Sequence, residues 1–286
     1  MTITNKKNLP QALVTACEKE HVGADYSVTQ LLKGVCEIVQ EKRYKDQCEF
    51  DVSDNVNALF GTAVHNLLQE KTDDPLILSE HYMQDTFLDG VTVSGIADVI
   101  DIREQTIKDY KTCSVWKVKF SDYKDWWEQL RSYLYLWYVE TGMLWKVAQI
   151  VALIKDYSQT DAERDSEYPQ SPIVSLEFHY TEEEIKSVGS LWHDKLAQVE
   201  NILRGNAELT EPCTPEERWA KPTTWAVMKE GRKTAVRVFQ SEEEAKKIAE
   251  ELGKGHSVLK REGEDTKCKK YCIIGKNGFC PFRSKE

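Results

Sequence analysis

From residue 27 the chain carries apolar positions at helical spacing: Leu31, Leu32, Val35 and Ile38 in SVTQLLKGVCEIVQ repeat with the 3.6-residue period of one helix face. A polar stretch at 51–54 follows. A second helix is predicted over 55–69, where Leu59, Phe60, Ala63, Val64, Leu67 and Leu68 form one stripe and Asp54 or Ser53 stands ready to cap it. The period then shortens. ILSEHYMQ, VTVSGIADVIDI and TIKDYKT are short and rich in β-branched residues, which predicts three strands, with 103–105 as a hairpin turn between the last two. A helix dense in Trp, Tyr and Leu is predicted over 122–140. Strands WKVAQIVALIKDY and PIVSLEFHY come next. The helix after them, over 181–204, begins Thr-Glu-Glu-Glu and so places a hydroxyl and carboxylates beside its first free amides.

Strands interleaved with helices indicate an α/β domain. The pattern breaks around 209–222, at Pro212, Pro215 and Pro222, and then resumes as strand, strand, helix, strand: WAVMKE, TAVRVF, SEEEAKKIAEEL and HSVLKR. The expected organisation is a lead-in at 1–25, an α/β core at 26–210, and a small α+β module at 211–286 that ends in a cysteine-bearing segment.

Composition adds little until charge is resolved along the chain. The 286 residues have a formal net charge of −10, which argues against a nucleic-acid partner. Residues 219–286, however, hold 16 Lys and Arg against 10 Asp and Glu, while the remainder holds 22 against 38. A basic tail on an acidic body suits a DNA-processing enzyme, because metal sites are themselves acidic; a solvated charged surface is the competing reading for any single lysine. The N-terminus MTITNKKNLPQ lacks the apolar region of a secretory signal, and no stretch nears the roughly 18 apolar residues of a membrane span. An intracellular, cytoplasmic protein without membrane contact is expected, and its eight cysteines then read as thiols or metal ligands rather than disulfides.

The candidate chemistry centres on Asp109-Tyr110-Lys111. On a strand, Asp109 and Lys111 share one face while Tyr110 takes the other. A tight turn at 103–105 brings Asp98 opposite or diagonal to Asp109, about 5–8 Å across the ladder. Two carboxylates that close repel unless a cation lies between them. Oxygen ligands with open positions suit Mg²⁺ or Mn²⁺, which activates water and neutralises phosphate charge, and Lys111 adds a positive charge beside the scissile phosphate. The triplet by itself says little, since it recurs at Asp122/Lys124, Glu184/Lys186, Glu244/Lys246 and Asp265/Lys267. Those four fall on predicted helices or loops, where i and i+2 diverge. His65 lies within the apolar stripe of its helix and reads either as a ligand or as a satisfied core histidine. Gln129 and Tyr133 stand one turn apart on the 122–140 helix, as a functional pair or as a polar helix edge.

Taken in order, GxxxH on a helix, a strand ending GIAD, then DYK, then QxxxY on a helix resemble the RecB-type branch of the PD-(D/E)XK nucleases. That branch includes recombination exonucleases, CRISPR adaptation nucleases and phage-encoded exonucleases. SVTQLL, DVSDNVNALFGTAVH and ERW…KCKKYCIIGKNGFC look most like the phage-encoded group, and the likeness spans about 25–286. It implies a restriction-endonuclease-like core, a mixed sheet flanked by helices, acting as a metal-dependent DNA exonuclease in phage or bacterial recombination. A recombinase, single-strand-binding protein or helicase would be its partner. It further implies that His65, Asp98, Asp109 and the Tyr110 carbonyl ligate the metal. Lys111 would orient the nucleophile, and Gln129 and Tyr133 would position the DNA backbone or the lysine. Ala97 stands where the family often has Pro. Glu80, on the earlier strand, is an additional outer acid or an ordinary exposed glutamate.

Cys268, Cys272 and Cys280 place three thiols within 13 residues of a segment containing Gly275, Gly278 and Pro281. Closely spaced thiols on such a loop suit a tetrahedral metal or an iron–sulfur cluster. Cys213, in EPCTPEERW, is the first choice for fourth ligand. Cys36 is its rival, because cluster-bearing relatives commonly use a cysteine N-terminal to the core. The family's tighter cysteine spacing is absent, so both a [4Fe–4S] cluster and Zn²⁺ stay open. Lys260, Arg261, Lys267, Lys269 and Lys270 could meet phosphates, while Trp219 and Trp225 read as base-stacking or core residues.

Overall fold

The computed structural model describes residues 1–17, 23–68 and 74–283. They form two compact units, Met1–Ile38 with Glu49–Glu208, and Val39–Cys48 with Leu209–Glu286.

In chain order the first unit begins with β1 (Thr2–Thr4), α1 (Gln11–Cys17), β2 (Tyr26–Ser27), α2 (Val28–Leu31) and α3 (Val35–Tyr44), whose later residues belong to the second unit. The helix expected from residue 27 is thus broken. Ser27 closes a capping box with Gln30, and the chain leaves helical form before Gly34, a residue of low helix propensity. β3 (Glu49–Asp51) pairs in parallel with β1, so part of the expected lead-in is ordered structure.

α4 (Val56–Leu68), β4 (Ile77–Thr86), β5 (Thr92–Asp101) and β6 (Thr106–Cys113) follow; residue 69 of the expected helix lies outside the described residues. α5 (Val115–Lys119), which periodicity did not reveal, precedes α6 (Lys124–Thr141). β7 (Val147–Ile154), a short α7 (Gln159–Arg164), β8 (Ile173–His179) and α8 (Glu182–Leu203) complete the unit.

One mixed sheet organises these elements. β4 pairs antiparallel with β5 along nearly its whole length, from Ile77↔Asp101 to Thr86↔Thr92. A strand has only two edges, so the other partners of β5 share its opposite edge. These are β2, parallel at Tyr26↔Val93 and Ser27↔Ser94, and β6, antiparallel from Val99↔Lys108 to Asp101↔Thr106. Between them, residues 95–98 of β5 have no strand on that edge. β6 continues in parallel with β7, and β7 is antiparallel to β8.

α6 packs on β4, β5, β6 and β7 and is itself covered by α8; α4 packs on β6. The core comprises residues such as Val93, Ile100, Ile107, Leu130, Leu134, Ile150 and Leu196, all essentially inaccessible. No helix of the described residues is long and apolar enough to cross a membrane.

In the second unit, β10 (Thr224–Lys229) lies between β11 (Arg237–Phe239) and β12 (His256–Arg261), with β9 (Ala220–Lys221) ahead of them in the chain. α9 (Glu242–Leu252) packs on this three-stranded antiparallel sheet. Val227, Ala245 and Ala249 centre its core, with Trp225, Phe239, Ile248 and Val258 around them. β9 pairs with β13 (Glu264–Asp265), which leads into α10 (Thr266–Lys270) and α11 (Ile273–Lys276). Tyr44 stacks on Phe279 at 5.3 Å, and Cys48 is fully buried near the Ile273 carbonyl.

Candidate active site

The turn between β5 and β6 fixes how the acidic residues face one another. Asp101 accepts from the Glu104 amide at 3.0 Å and from Lys108 Nζ at 3.2 Å, and Gln105 takes a left-handed backbone with φ 52. This fixes the register Val99↔Lys108, whose next step would set Asp98 opposite Asp109. The pairing stops there. Asp98 Oδ2 instead accepts from the Tyr110 amide at 2.6 Å, so a carboxylate enters where the ladder parts.

The opposite edge of β5 is interrupted at the same level. Ser79 pairs with Val99 and His81 with Ala97, but Glu80, between them, stands with φ 52 and makes no pair with Asp98. A left-handed conformation costs an L-residue about 1–2 kcal/mol. Asp98 is therefore the point where both ladders open.

Three side chains meet there. The ligand atoms of His65, Glu80 and Asp98 all lie within 4.8 Å of one another, the one such His/Cys/Asp/Glu group among the described residues. His65 Nδ1 is 3.1 Å from Asp98 Oδ1. That hydrogen bond raises the imidazole pKa against the opposing effect of burial. The His65 side chain is partly exposed, at 31%. Its helix differs from expectation too: no residue of α4 is fully buried, and Phe60 and Leu67 are 56% and 81% exposed.

Asp109 is 1% exposed. Burial raises its carboxyl pKa, Lys111 opposes this, and the charge of Asp98 adds to it. Lys111 Nζ stands 2.7 Å from Asp109 Oδ2, as strand alternation requires, yet no donor among the described residues points at that oxygen in hydrogen-bond geometry. The ammonium is close but misaligned. Glu80 also has its pKa raised, first by burial and then by Asp98, with a smaller push from Asp109.

Gln129 and Tyr133, expected to hold DNA or the lysine, are both buried, at 8% and 5% exposure. Gln129 Nε2 donates to the Tyr133 hydroxyl at 2.7 Å. Burial, and then the negative charges of Asp109, Asp98 and Glu80, raise the pKa of the Tyr133 phenol. The pair is buried close enough to these carboxylates for the phenol to sense their charge.

The clustered donors, two carboxylates and an imidazole, suit a hard divalent cation; Asp109 stands outside that cluster and senses Asp98 and His65 through their charges. Glu80, exposed on β4, is one of the three clustered groups. Nothing in its local sequence marks it; only the β4–β5 register brings it beside Asp98.

All eight cysteines carry thiols. Burial raises the Cys268 pKa to about 11, and Cys272, Asp265, Cys213 and Cys280 push it the same way. Cys213, Cys268 and Cys280 line a cavity of about 480 Å³ with Arg218, Lys221 and Arg283.

No family model matches this chain, and no curated protein does. Solved structures similar to it include that of SSO0001, with TM-score 0.45 and 17% identity over 65% of this chain and 82% of that one. Another is an alkaline exonuclease, LHK-Exo, from Laribacter hongkongensis, with TM-score 0.34 and 12% identity over 64% and 94%. A third is a phage-related exonuclease from Haemophilus somnus 129PT, with TM-score 0.32 and 11% identity over 61% and 75%. All three TM-scores fall below 0.5, so the geometry, not these likenesses, bears the functional weight.

Proposed function

We propose that this chain is a divalent-metal-dependent deoxyribonuclease of the PD-(D/E)XK type, acting as an exonuclease in phage or bacterial DNA recombination and processing. The observation that supports the reading is the opening of both ladders of β5 at Asp98, where His65 and Glu80 come within ligand distance of it and the Asp109–Lys111 pair lies on the adjoining strand. A structural salt bridge needs neither interrupted pairing on two edges nor a left-handed glutamate.

Asp98, Asp109, His65 and the Tyr110 carbonyl would hold Mg²⁺ or Mn²⁺, with Glu80 completing the set. When bound, the cation supplies neutralising charge to the phosphate and acidifies the attacking water. Lys111 would orient the attacking water and stabilise the charge that builds on the pentacoordinate phosphorus. Asp109 keeps Lys111 in place until substrate arrives. Tyr133 and Gln129, buried close by, support the carboxylates. The exonuclease assignment and the partner classes, a recombinase, single-strand-binding protein or helicase, rest on the sequence resemblance.

In the second unit, Cys213, Cys268, Cys272 and Cys280 would hold a [4Fe–4S] cluster, with Zn²⁺ as the alternative. Burial and the three other cysteines disfavour the Cys268 thiolate, and a bound cation would offset that cost.

The decisive assay uses end-labelled linear and closed circular DNA with Mg²⁺ or Mn²⁺. Wild type is expected to shorten the linear form and spare the circle, while Asp109→Asn and Lys111→Ala lose about 10²-fold or more in rate. Unchanged cutting by both variants would falsify the assignment.

A further inference from the structure

We infer that Trp219 and Tyr271 form a stacking subsite for an unpaired nucleobase on the second unit, with the Lys267 ammonium beside the Trp219 ring and Lys269 and Lys270 next to Tyr271 in sequence. This deepens the nuclease reading and rests on it for the nature of the ligand.

The two rings come from segments far apart in sequence. Their centroids lie 5.2 Å apart with the planes at 60°, and the residues are 51% and 63% exposed. Core packing was one expectation for Trp219. The structure instead places Trp225 with the core cluster and turns Trp219 outward.

Trp219 holds φ 51, a conformation that a bulky L-residue rarely adopts. Backbone contacts on both sides maintain it. The Trp219 amide donates to Glu216 O at 3.0 Å, Lys267 N donates to Arg218 O at 3.0 Å, and Ala220 pairs with Asp265. Tyr271 is anchored through its amide to Lys267 O at 2.9 Å. The aromatic pair is therefore preorganised, and little ordering cost remains when a flat ligand arrives.

Charge selects the occupant. Lys267 Nζ lies 5.9 Å from the centre of the Trp219 ring. Lys269 and Lys270 each meet Glu264 only at 3.4 Å, with half-exposed ammonium groups, and such surface pairs exchange readily for phosphate. Residues 219–286 carry 16 basic against 10 acidic groups in a chain of net charge −10. Exposed rings among lysines are poor cores for a protein interface, where lysine is depleted. They suit single-stranded nucleic acid, whose bases offer π-faces and whose backbone offers charge. A duplex keeps those faces stacked on one another.

The test measures binding of a fluorescein-labelled oligothymidylate of about twelve nucleotides without added divalent metal, a length within the site sizes of such grooves. Trp219→Ala and Tyr271→Ala are each expected to weaken binding about tenfold, and Trp219→Phe to stay within about threefold of wild type. Lys267→Gln should flatten the dependence of log affinity on log salt by about 0.7. Circular dichroism and thiol-bound metal content verify that each variant is folded.

Trp219→Ala and Tyr271→Ala both binding as wild type overturns the subsite, as does Trp219→Phe losing as much as Trp219→Ala, or equal losses on duplex of the same length. Because no cleavage is needed, the two readings separate. A chain that binds through Trp219 yet never cuts keeps the subsite and loses the nuclease assignment. A chain that cuts with binding indifferent to Trp219 does the reverse.

Discussion

Asp109 carries the tension of the site in one side chain. A carboxylate at 1% exposure with one oxygen lacking an aligned donor is costly to keep ionised, and Lys111 only partly offsets this. Asp109→Asn is expected to raise the unfolding midpoint of the metal-free protein by about 1–2 kcal/mol equivalent while abolishing cleavage, as happens when strain serves function. The same variant should lose the stabilisation that Mn²⁺ gives wild type, about 2.7 kcal/mol at a hundred times its Kd. Thermal scans with and without Mn²⁺ measure both effects. At this scale the shared face of Asp109 and Lys111 and the turn that returns Asp98 toward them were legible in the sequence, because i, i+2 alternation and a short turn are local rules. Glu80 was not, because its place beside Asp98 depends on a register set across the connection between β4 and β5.

Among elements, α6 and β5 meet at Gly95. A Cβ there would stand 2.8 Å from Tyr133 Cε1 and 2.9 Å from Val28 Cγ2, so the glycine of GIAD is the space in which the tyrosine of QxxxY lies. Gly95→Ala is expected to cost about 1–3 kcal/mol in urea unfolding and to slow cleavage by displacing Tyr133 near the carboxylates. Restored stability in Gly95→Ala/Tyr133→Leu, without restored activity, would attribute the cost to this contact. Hydrophobic periodicity placed α4, α6 and α8 to within a few residues. It could not say that the apolar stripe of α4 stays exposed at Phe60 and Leu67, since period reports a face and not what covers it.

At the level of the whole molecule, the first unit is tied by phenols that are buried or, for Tyr135, half-buried. Tyr26 donates to Glu200 at 2.6 Å, Tyr135 to Asp85 at 2.7 Å and Tyr180 to the Trp127 carbonyl at 3.0 Å, while Tyr133 accepts from Gln129. All four have pKa values raised above the ordinary phenol range, with burial as the largest cause. A raised folded pKa means stabilisation that is complete below about pH 10 and declines as pH rises past it. Absorbance at 295 nm should therefore show these four ionising only with unfolding, and denaturant midpoints should fall steadily above pH 10. A reversible tyrosine titration finishing near pH 10.5 in the folded state would contradict this.

For the second unit, the proposed thiol-bound metal predicts that Cys213→Ser and Cys268→Ser each lose metal, and with iron the absorbance near 400 nm, whereas Cys36→Ser retains both. Metal analysis per chain is the readout, and retention by Cys213→Ser would transfer the fourth ligand elsewhere.

What the sequence determined by itself was whatever depends on neighbours along the chain. It placed the succession of strands and helices, the common face of Asp109 and Lys111, the tight turn that returns Asp98 toward them, and the knot of thiols at 268–280. Tertiary structure decided what depends on elements finding one another. It broke the β5 ladders on both edges at Asp98, drew Glu80 into a left-handed backbone beside it, buried Gln129 and Tyr133 against each other, and turned Trp219 outward against Tyr271. The physical reason is that backbone periodicity is a short-range property, while register, burial and electrostatic neighbourhood are set by which surfaces the folded chain brings into contact.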